Sequence, residues 1–252
     1  LLLGPEVRLR GQVVENSSKR ITKEKYMSAS GLDFTIAIGG AAGQGIATPG
    51  NILARLFGRR GLHLYAYNAY QSIIRGGHIL LTVRIRDEEV YSHGDGIDLL
   101  LCLNQDTMDR HLEILGPGSR VVYNRDTIQP GEVPDGVLLC PMPVGELMGD
   151  SKNKLIQNTI SLGVMMSLMG VDFSVLQEVL ELLFGRKGST VVEENVAMAR
   201  AGYDYGAANF QSFPVPLPEG EKPLAMWTGN SALAMGGAAA GVKFYAAYPM
   251  SP

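Results

Sequence analysis

The feature that most constrains this chain is the alternation, from residue 33 onward, of short apolar runs with longer amphipathic stretches. This order is typical of βαβ units around a mostly parallel sheet. The first apolar run, residues 34–38, ends in a segment with four glycines among seven residues, Gly-Gly-Ala-Ala-Gly-Gln-Gly at 39–45. We therefore predict an α/β fold, a three-layer domain with a mostly parallel sheet and a helical second half.

Hydrophobic periodicity also places the individual elements. It predicts strands at residues 34–38, 63–67, 78–85, 98–103, 120–123 and 137–140, with a short edge piece at 90–91. It predicts helices at residues 48–60, 105–115, 153–169, 174–184 and 190–201. Thr48 and Pro49 are expected to be the N-cap and first residue of the first helix, because these residue types favour those positions.

The amino-terminal 26 residues differ from the rest in charge and pattern. They hold six basic and three acidic side chains and lack apolar periodicity, whereas the whole chain has a net charge of −3. We expect residues 1–26 to be a disordered extension or a non-native leader. The overall charge disfavours a nucleic-acid partner, no run of about 20 apolar residues predicts a membrane span, and we place the protein in the cytoplasm.

Cysteine and histidine give no sign of a metal centre. Cys102 and Cys140 are the two cysteines, they lie far apart, and neither belongs to a Cys-x-x-Cys motif. This excludes a disulfide framework and a cysteine-built zinc or iron–sulfur site, so we predict two reduced, buried thiols. The four histidines lack metal-ligand spacing, and we predict no metal ligands in this chain.

The glycine segment predicts an anion-binding turn, since glycines between a strand and a helix bring backbone amides and a helix N-terminus together. Its order, Gly40-x-x-Gly43-x-Gly45, is the reverse of the dinucleotide fingerprint, and Ile46 follows where a phosphate-binding lysine loop needs Lys. The sequence leaves the anion open. It also leaves open that the glycines serve only close packing of strand and helix.

A second glycine segment holds Arg75 directly before the predicted strand at 78–85. Because loops at the carboxyl ends of parallel strands converge, we expect Arg75 to face the first glycine segment and bind a phosphate or carboxylate. The alternative is an ion pair between Arg75 and an acidic side chain of the domain or of a subunit interface.

The second half of the chain divides at a proline-rich segment. Residues 210–224 hold four prolines and read as a linker between a domain at 27–209 and a second unit at 225–252. The second unit begins with a small-residue helix at 231–241 and a predicted strand at 244–248, which leads into Pro-Met-Ser-Pro at the end.

Three passages together resemble one family, the 2-oxoacid:ferredoxin oxidoreductases. Residues 38–46 and 70–78 (Tyr-Gln-Ser-Ile-Ile-Arg-Gly-Gly-His) resemble its γ domain. Residues 229–238 (Gly-Asn-Ser-Ala-Leu-Ala-Met-Gly-Gly-Ala) and 248–252 (Tyr-Pro-Met-Ser-Pro) resemble the opening of its α domain, which has a thiamine-diphosphate pyrimidine-type fold. The order γ, linker, α is that of a fused large subunit, and the resemblance covers residues 33–252.

The resemblance implies an enzyme that converts a 2-oxoacid and coenzyme A to acyl-CoA and carbon dioxide and passes electrons to ferredoxin. It implies thiamine diphosphate and Mg²⁺ at an interface with a β subunit, an iron–sulfur cluster on that partner, and a heterodimer or dimer of heterodimers. None of these groups is expected to bind firmly to this chain alone. Met250-Ser251 favours 2-oxoglutarate, or a broad range of 2-oxoacids, over pyruvate alone.

The resemblance also assigns roles to residues. Ser251 is the expected contact of the substrate carboxylate, and the γ-domain association with coenzyme A is carried onto Gly40, Gly43, Gln44, Gly45 and Arg75. The family's catalytic glutamate lies beyond residue 252, so this chain holds no catalytic residue and is expected to be inactive alone.

Two alternatives remain. One is an assembly module of such a complex with no ligand of its own, and the other is a nicotinamide- or flavin-binding domain.

Overall fold

The computed structural model describes residues 27–28, 31–70, 76–149, 151, 153, 155–214 and 217–248. Its strands are β1 (Met27–Ser28), β2 (Gly31–Ala41), β3 (His63–Tyr70), β4 (His78–Arg86), β5 (Leu99–Cys102), β6 (Arg120–Asn124) and β7 (Leu138–Met142). They form one sheet in the order β3-β4-β2-β5-β6-β7, and β1 pairs with β2 outside this path.

The sheet is mostly parallel, with β4 and the two-residue strand β1 reversed relative to β2. β2 pairs in parallel with β5, β5 with β6, and β6 with β7. β4 is antiparallel to both β2 and β3, so that β3 points the same way as β2. The predicted mostly parallel sheet is confirmed, but β4 runs against the direction that a pure βαβ order implies.

Seven helices accompany the sheet. They are α1 (Ala47–Arg59), α2 (Gln105–His111), α3 (Val144–Met148), α4 (Ile156–Leu168), α5 (Phe173–Phe184), α6 (Ser189–Asn209) and α7 (Gly229–Ala239). Two short 3₁₀ turns, Leu112–Ile114 and Gly185–Lys187, follow α2 and α5. The helices α4 to α6 make up the predicted helical second half.

Both faces of the sheet are covered, because successive side chains of a strand point to opposite faces. On one face, Phe34, Ile36 and Ile38 of β2 belong to a large apolar cluster that includes Phe57 of α1 and buried residues of α4, α5 and α6. On the other face, Ala37 of β2 belongs to a smaller cluster with Leu100, Met108 and Leu112. This arrangement confirms the predicted three layers.

The helices α4 and α6 approach each other closely enough to touch through their backbones. A Cβ on Gly163 would overlap the carbonyl oxygen of Ala199, and a Cβ on Gly202 would overlap the carbonyl oxygen of Ile160. Three glycines on these two helices, Gly163, Gly202 and Gly206, thus serve packing. Since α4 is itself almost wholly buried, this crossing is the centre of the helical half.

Several element boundaries differ from the predictions. The helix α1 begins at Ala47, so Thr48 lies in its first turn and is not the N-cap. The predicted edge piece at 90–91 is wrong, as is the strand at 244–248, because neither pairs with another strand in the described part of the chain. The N-cap of α2 is Asn104, whose Oδ1 accepts a hydrogen bond from the Thr107 amide at 2.9 Å.

The proline-rich segment packs against the domain. Phe213 is buried, its amide donates to the carbonyl oxygen of Leu168 at 2.7 Å, and the Arg120 guanidinium lies 3.7 Å from its ring centre. Arg120 also donates to the carbonyl oxygens of Gln211 and Ser212. Beyond this segment, α7 has no buried residue. No described helix has both the length and the apolar character that crossing a membrane requires.

Candidate anion-binding site at the glycine loop

The glycine loop, residues 42–46, joins the end of β2 to the start of α1. Gly43 and Gly45 have φ angles of +96° and +76°, which side chains other than glycine rarely adopt. The N-cap position of α1 is Ile46, which supplies no side-chain hydrogen bond. The amides of Gly43 and Gly45 have no hydrogen-bond partner among the described residues. Unpaired amides at a helix N-terminus attract anions.

Gln44 braces the loop from inside the protein. Its Oε1 accepts hydrogen bonds from the Ala41 amide at 2.6 Å and from Asn104 Nδ2 at 3.1 Å. Its Nε2 donates to the carbonyl oxygen of Leu103 at 3.3 Å. The Gln44 side chain thus ties the loop to the ends of β2 and β5.

Gly40 makes room for this brace. A Cβ at Gly40 would lie 2.8 Å from Gln44 Oε1 and 3.2 Å from the Cβ of Leu103. The packing interpretation of the glycines therefore holds at Gly40. Gly43 differs, because no atom lies within 4 Å of where its Cβ would be.

Asn158 of α4 holds the loop from the opposite side. Its Nδ2 donates to the carbonyl oxygens of Gln44 at 2.9 Å and of Gly45 at 3.5 Å. The residue is 5% exposed. The loop carbonyls are bound by Asn158, and the Gln44 side chain is bonded to the ends of β2 and β5, so the loop conformation is fixed before any ligand binds. Fixed donors bind a ligand more tightly than mobile donors.

The end of the second glycine segment, at Gly77, lies beside the first glycine segment. The prediction attributed this to parallel strands, but the cause is an antiparallel pairing. β4 is antiparallel to β2, so the start of β4 lies beside the end of β2, with His78 opposite Ala41. The Ala42 amide donates to the carbonyl oxygen of Gly77 at 3.0 Å. Arg75 and Ser251 lie outside the described residues.

A pair of histidines lies beside this junction. His78 Nε2 and His111 Nε2 are 2.9 Å apart, and Asp106 Oδ2 is 3.4 Å from His78 Nδ1. Burial lowers the pKa of both imidazoles below the ordinary value, and Arg110 lowers them further, whereas Asp106 acts in the opposite direction. Both rings are therefore neutral at pH 7, and one donates a hydrogen bond to the other.

The histidine pair predicts an acid-sensitive fold. Because the folded pKa values lie below the ordinary value of about 6.5, the unfolded chain takes up protons first as the pH falls. We expect the free energy of unfolding to change little between pH 7.5 and 7 and to fall as the pH drops through about 6.5. Urea unfolding between pH 7.5 and 5 measures this, and His111→Gln should flatten the slope. A wild-type stability that rises toward pH 5 would contradict the assignment.

The two thiols are buried and unpaired, as predicted. Burial raises the pKa of Cys102, and it raises the pKa of Cys140 to about 12. Since the thiolate is the reactive form, we expect no reaction of the native chain with a thiol reagent at pH 8 within minutes, and two thiols titrated in denaturant. A fast reaction of either cysteine in the native chain would show that its surroundings open.

Two cavities lie near the loop. One, of about 600 Å³, lies between α1, the edge strand β3 and residues 224–229. The other, of about 160 Å³, lies between the glycine loop with the start of α1 and the helices α4, α5 and α6. We call the second one the loop–helix pocket. No group of three His, Cys, Asp or Glu side chains in the described ranges is arranged to hold a metal ion.

Comparison with known proteins places the chain in a family. A family model described as pyruvate ferredoxin/flavodoxin oxidoreductase matches residues 35–205. The chain belongs to this family. The match spans the sheet, the glycine loop and most of the helical half, and so confirms the family that the three sequence passages indicated.

Curated oxidoreductases of this family resemble the chain over much of its length. The α subunit of the 2-oxoacid:ferredoxin oxidoreductase of a Sulfolobus species is 23% identical over 85% of this chain and 40% of its own. Ketoisovalerate oxidoreductase subunit VorA of Methanothermobacter thermautotrophicus is 28% identical over 71% of this chain and 38% of its own. The chain thus spans about two fifths of the length of these relatives.

Solved structures of the family show the same fold. The 2-oxoglutarate:ferredoxin oxidoreductase from Magnetococcus marinus, solved with 2-oxoglutarate, coenzyme A and succinyl-CoA bound, aligns with a TM-score of 0.79 and 28% identity. That alignment covers 87% of this chain and 39% of the other. The γ subunit of a keto/oxoacid ferredoxin oxidoreductase from Geobacter sulfurreducens aligns with a TM-score of 0.56, 24% identity and 99% coverage of that subunit.

Sequence reasoning missed two residues of this oxidoreductase-family domain that shape the loop. Asn104 bonds Gln44 from the start of α2, and Asn158 bonds the loop carbonyls from α4. Asn158 lies in a helix whose neighbours are almost all buried and mostly apolar. A polar side chain within such a run is a signal that could have found it, because buried polar groups are nearly always hydrogen-bonded.

Proposed function

We propose that the chain is part of the large subunit of a 2-oxoacid:ferredoxin oxidoreductase. Such an enzyme converts a 2-oxoacid and coenzyme A to acyl-CoA and carbon dioxide and reduces ferredoxin. Family membership and the likeness to the Magnetococcus marinus enzyme support this proposal. The same likeness, together with Met250-Ser251, favours 2-oxoglutarate as the substrate.

The proposed division of the chain is a γ domain at 27–209, a linker at 210–224 and the start of an α domain at 225–252. It is supported by the stand-alone γ subunit from Geobacter sulfurreducens, which aligns along nearly its whole length with 69% of this chain. It is also supported by the exposure of α7, which shares no buried core with the domain that precedes it.

The role of the γ domain in this proposal is to bind coenzyme A at the glycine loop. The observation that carries it is the loop geometry, in which the unpaired amides of Gly43 and Gly45 lie at the start of α1 and are held fixed by Gln44 and Asn158. A phosphate of coenzyme A provides oxygen acceptors for these amides. Gly40 and Gln44 shape the loop, and Arg75 supplies a cation from the adjoining segment.

The remaining chemistry belongs, in this proposal, to the complete complex in the cytoplasm. Thiamine diphosphate, held with Mg²⁺ at the interface with a β subunit, supplies the nucleophilic carbon and the electron sink for decarboxylation. The iron–sulfur cluster is carried by the β subunit, which reduces ferredoxin. Ser251 donates a hydrogen bond to the carboxylate of the 2-oxoacid, for which a hydroxyl is suited.

Calorimetric titration of coenzyme A into the folded chain tests the proposed role of the γ domain. We expect saturable heat at one site and none from NAD⁺ at the same concentration. The absence of heat from coenzyme A would instead favour an assembly module without a ligand. We also expect no 2-oxoacid-dependent dye reduction by the chain without its partner, and such activity would overturn the division of chemistry between the subunits.

A further inference from the structure

The loop–helix pocket lies between two walls. One wall consists of the glycine loop and the start of α1. The other consists of α4, the 3₁₀ turn that follows α5, and the helix α6. Its volume of about 160 Å³ accommodates part of a cofactor and not a whole one. A ligand whose phosphate contacts the loop amides would therefore have room to extend a neighbouring group into this pocket.

The charges around the pocket favour an anion. Lys187, the last residue of the Gly185–Lys187 turn, lies at the pocket and is its one ionisable lining residue within the described part of the chain. No carboxylate lines the pocket among those residues. The positive end of α1 contributes on the opposite wall. An anion between loop and turn thus meets positive potential from two sides.

A buried acceptor gives independent evidence for a ligand. Asn158 lines the pocket, and its Nδ2 is bound to two carbonyl oxygens of the loop. This fixes the orientation of the amide, since the flipped form would place oxygen against oxygen. Asn158 Oδ1 is then left buried without a partner, a state that costs free energy unless a donor meets it.

The other polar side chains of the inner wall are already paired. Thr159 Oγ1 donates to Asn195 Oδ1 at 2.9 Å, and Asn195 Nδ2 donates to the carbonyl oxygen of Val191 at 2.8 Å. Ile52 and Leu162 supply apolar surface between them. Among the polar side-chain atoms of this inner wall, Asn158 Oδ1 is the acceptor that stays buried without a partner, and it lies in the pocket that Lys187 also lines.

We propose that Lys187 and the loop–helix pocket bind the part of coenzyme A in which a phosphate lies near an N–H donor, with Lys187 paired to that phosphate. The N–H group meets Asn158 Oδ1. The choice of coenzyme A rests on the proposed function. Two parts of coenzyme A share this chemistry, the adenosine diphosphate end with its amino group and the phosphopantetheine end with its amide.

A matched pair of substitutions tests the proposal. Lys187→Gln removes the charge at the pocket, and Arg186→Gln removes a charge from the adjacent residue of the same exposed turn, which does not line the pocket. Calorimetry with coenzyme A should show about tenfold weaker binding for Lys187→Gln, as expected for one charge-assisted hydrogen bond, and less than twofold for Arg186→Gln. Lys187→Arg should restore most of the affinity.

Titrations with ADP and with phosphopantetheine distinguish the two parts of the ligand. The fragment that occupies the pocket is the one that binds more weakly to Lys187→Gln than to the wild type. If coenzyme A binds the wild type but the two glutamine variants weaken it equally, or not at all, the inference about Lys187 is overturned and the proposed function stands. If coenzyme A does not bind the wild type, both the proposed role of the γ domain and this inference are overturned.

Discussion

Replacing Gly202 by alanine is expected to destabilise the domain by about 3 kcal/mol or more, enough to leave much of the chain unfolded at 37 °C. The added Cβ would overlap the backbone of α4 at Ile160, and backbone cannot move aside as a side-chain tip can. Relief requires that α4 and α6 separate, which opens the large apolar cluster. The expected result is a loss of the unfolding transition, or a much lower midpoint, in urea followed by circular dichroism.

The matched control is Gly236→Ala in α7. No atom lies within 4 Å of a Cβ at Gly236, so alanine there meets no obstacle and gains helix propensity. It should leave the unfolding of the domain that holds the sheet and α1 to α6 unchanged. If Gly202→Ala unfolded at the same urea concentration as Gly236→Ala, the close crossing of α4 and α6 would be wrong.

Replacing Gln44 by alanine is expected to abolish measurable coenzyme A binding and to lower the free energy of unfolding by about 2 kcal/mol. The substitution removes the acceptor of the Ala41 amide and the contacts with Leu103 and Asn104. Without these bonds the loop loses the conformation that presents the Gly43 and Gly45 amides. Calorimetry with coenzyme A and urea unfolding of the same preparation measure the two effects.

Gln105→Ala provides the control for this experiment. Gln105 is also a glutamine with three hydrogen bonds, to Asp109 and to the backbone of Gln129, but none of these bonds involves a residue of the loop. We expect its removal to cost stability and to leave coenzyme A affinity unchanged. Equal affinity of Gln44→Ala and wild type would show that the loop conformation does not decide binding.

The sequence predicted the layers and the position of the glycine loop because the signals for them are local. The apolar run of β2 passes directly into four glycines, and the helix that follows is amphipathic. Periodicity likewise placed α4, α5 and α6 within a few residues of their observed bounds, apart from the eight residues by which α6 extends beyond 201. Such signals do not depend on which strands become neighbours.

Features that depend on neighbours could not be predicted. The reversal of β4 follows from its pairing with β2, and pairing is not encoded in the pattern of either strand alone. The sequence predicted that α1 begins at residue 48, because Thr48-Pro49 is typical of a helix start. In the structure α1 begins at Ala47, and the Thr48 amide donates to the carbonyl oxygen of Gly45 at 3.2 Å, within the turn that precedes the helix. The Gln44 brace joins residues about 60 positions apart.

Amide hydrogen exchange with and without coenzyme A tests the central claim most directly, that the glycine loop is the coenzyme A site. The account predicts that saturating coenzyme A slows exchange at Gly43, Gly45 and the first turn of α1, and that β7 at the far edge of the sheet is unaffected. Protection confined to other segments, or no protection in a folded sample, would contradict it.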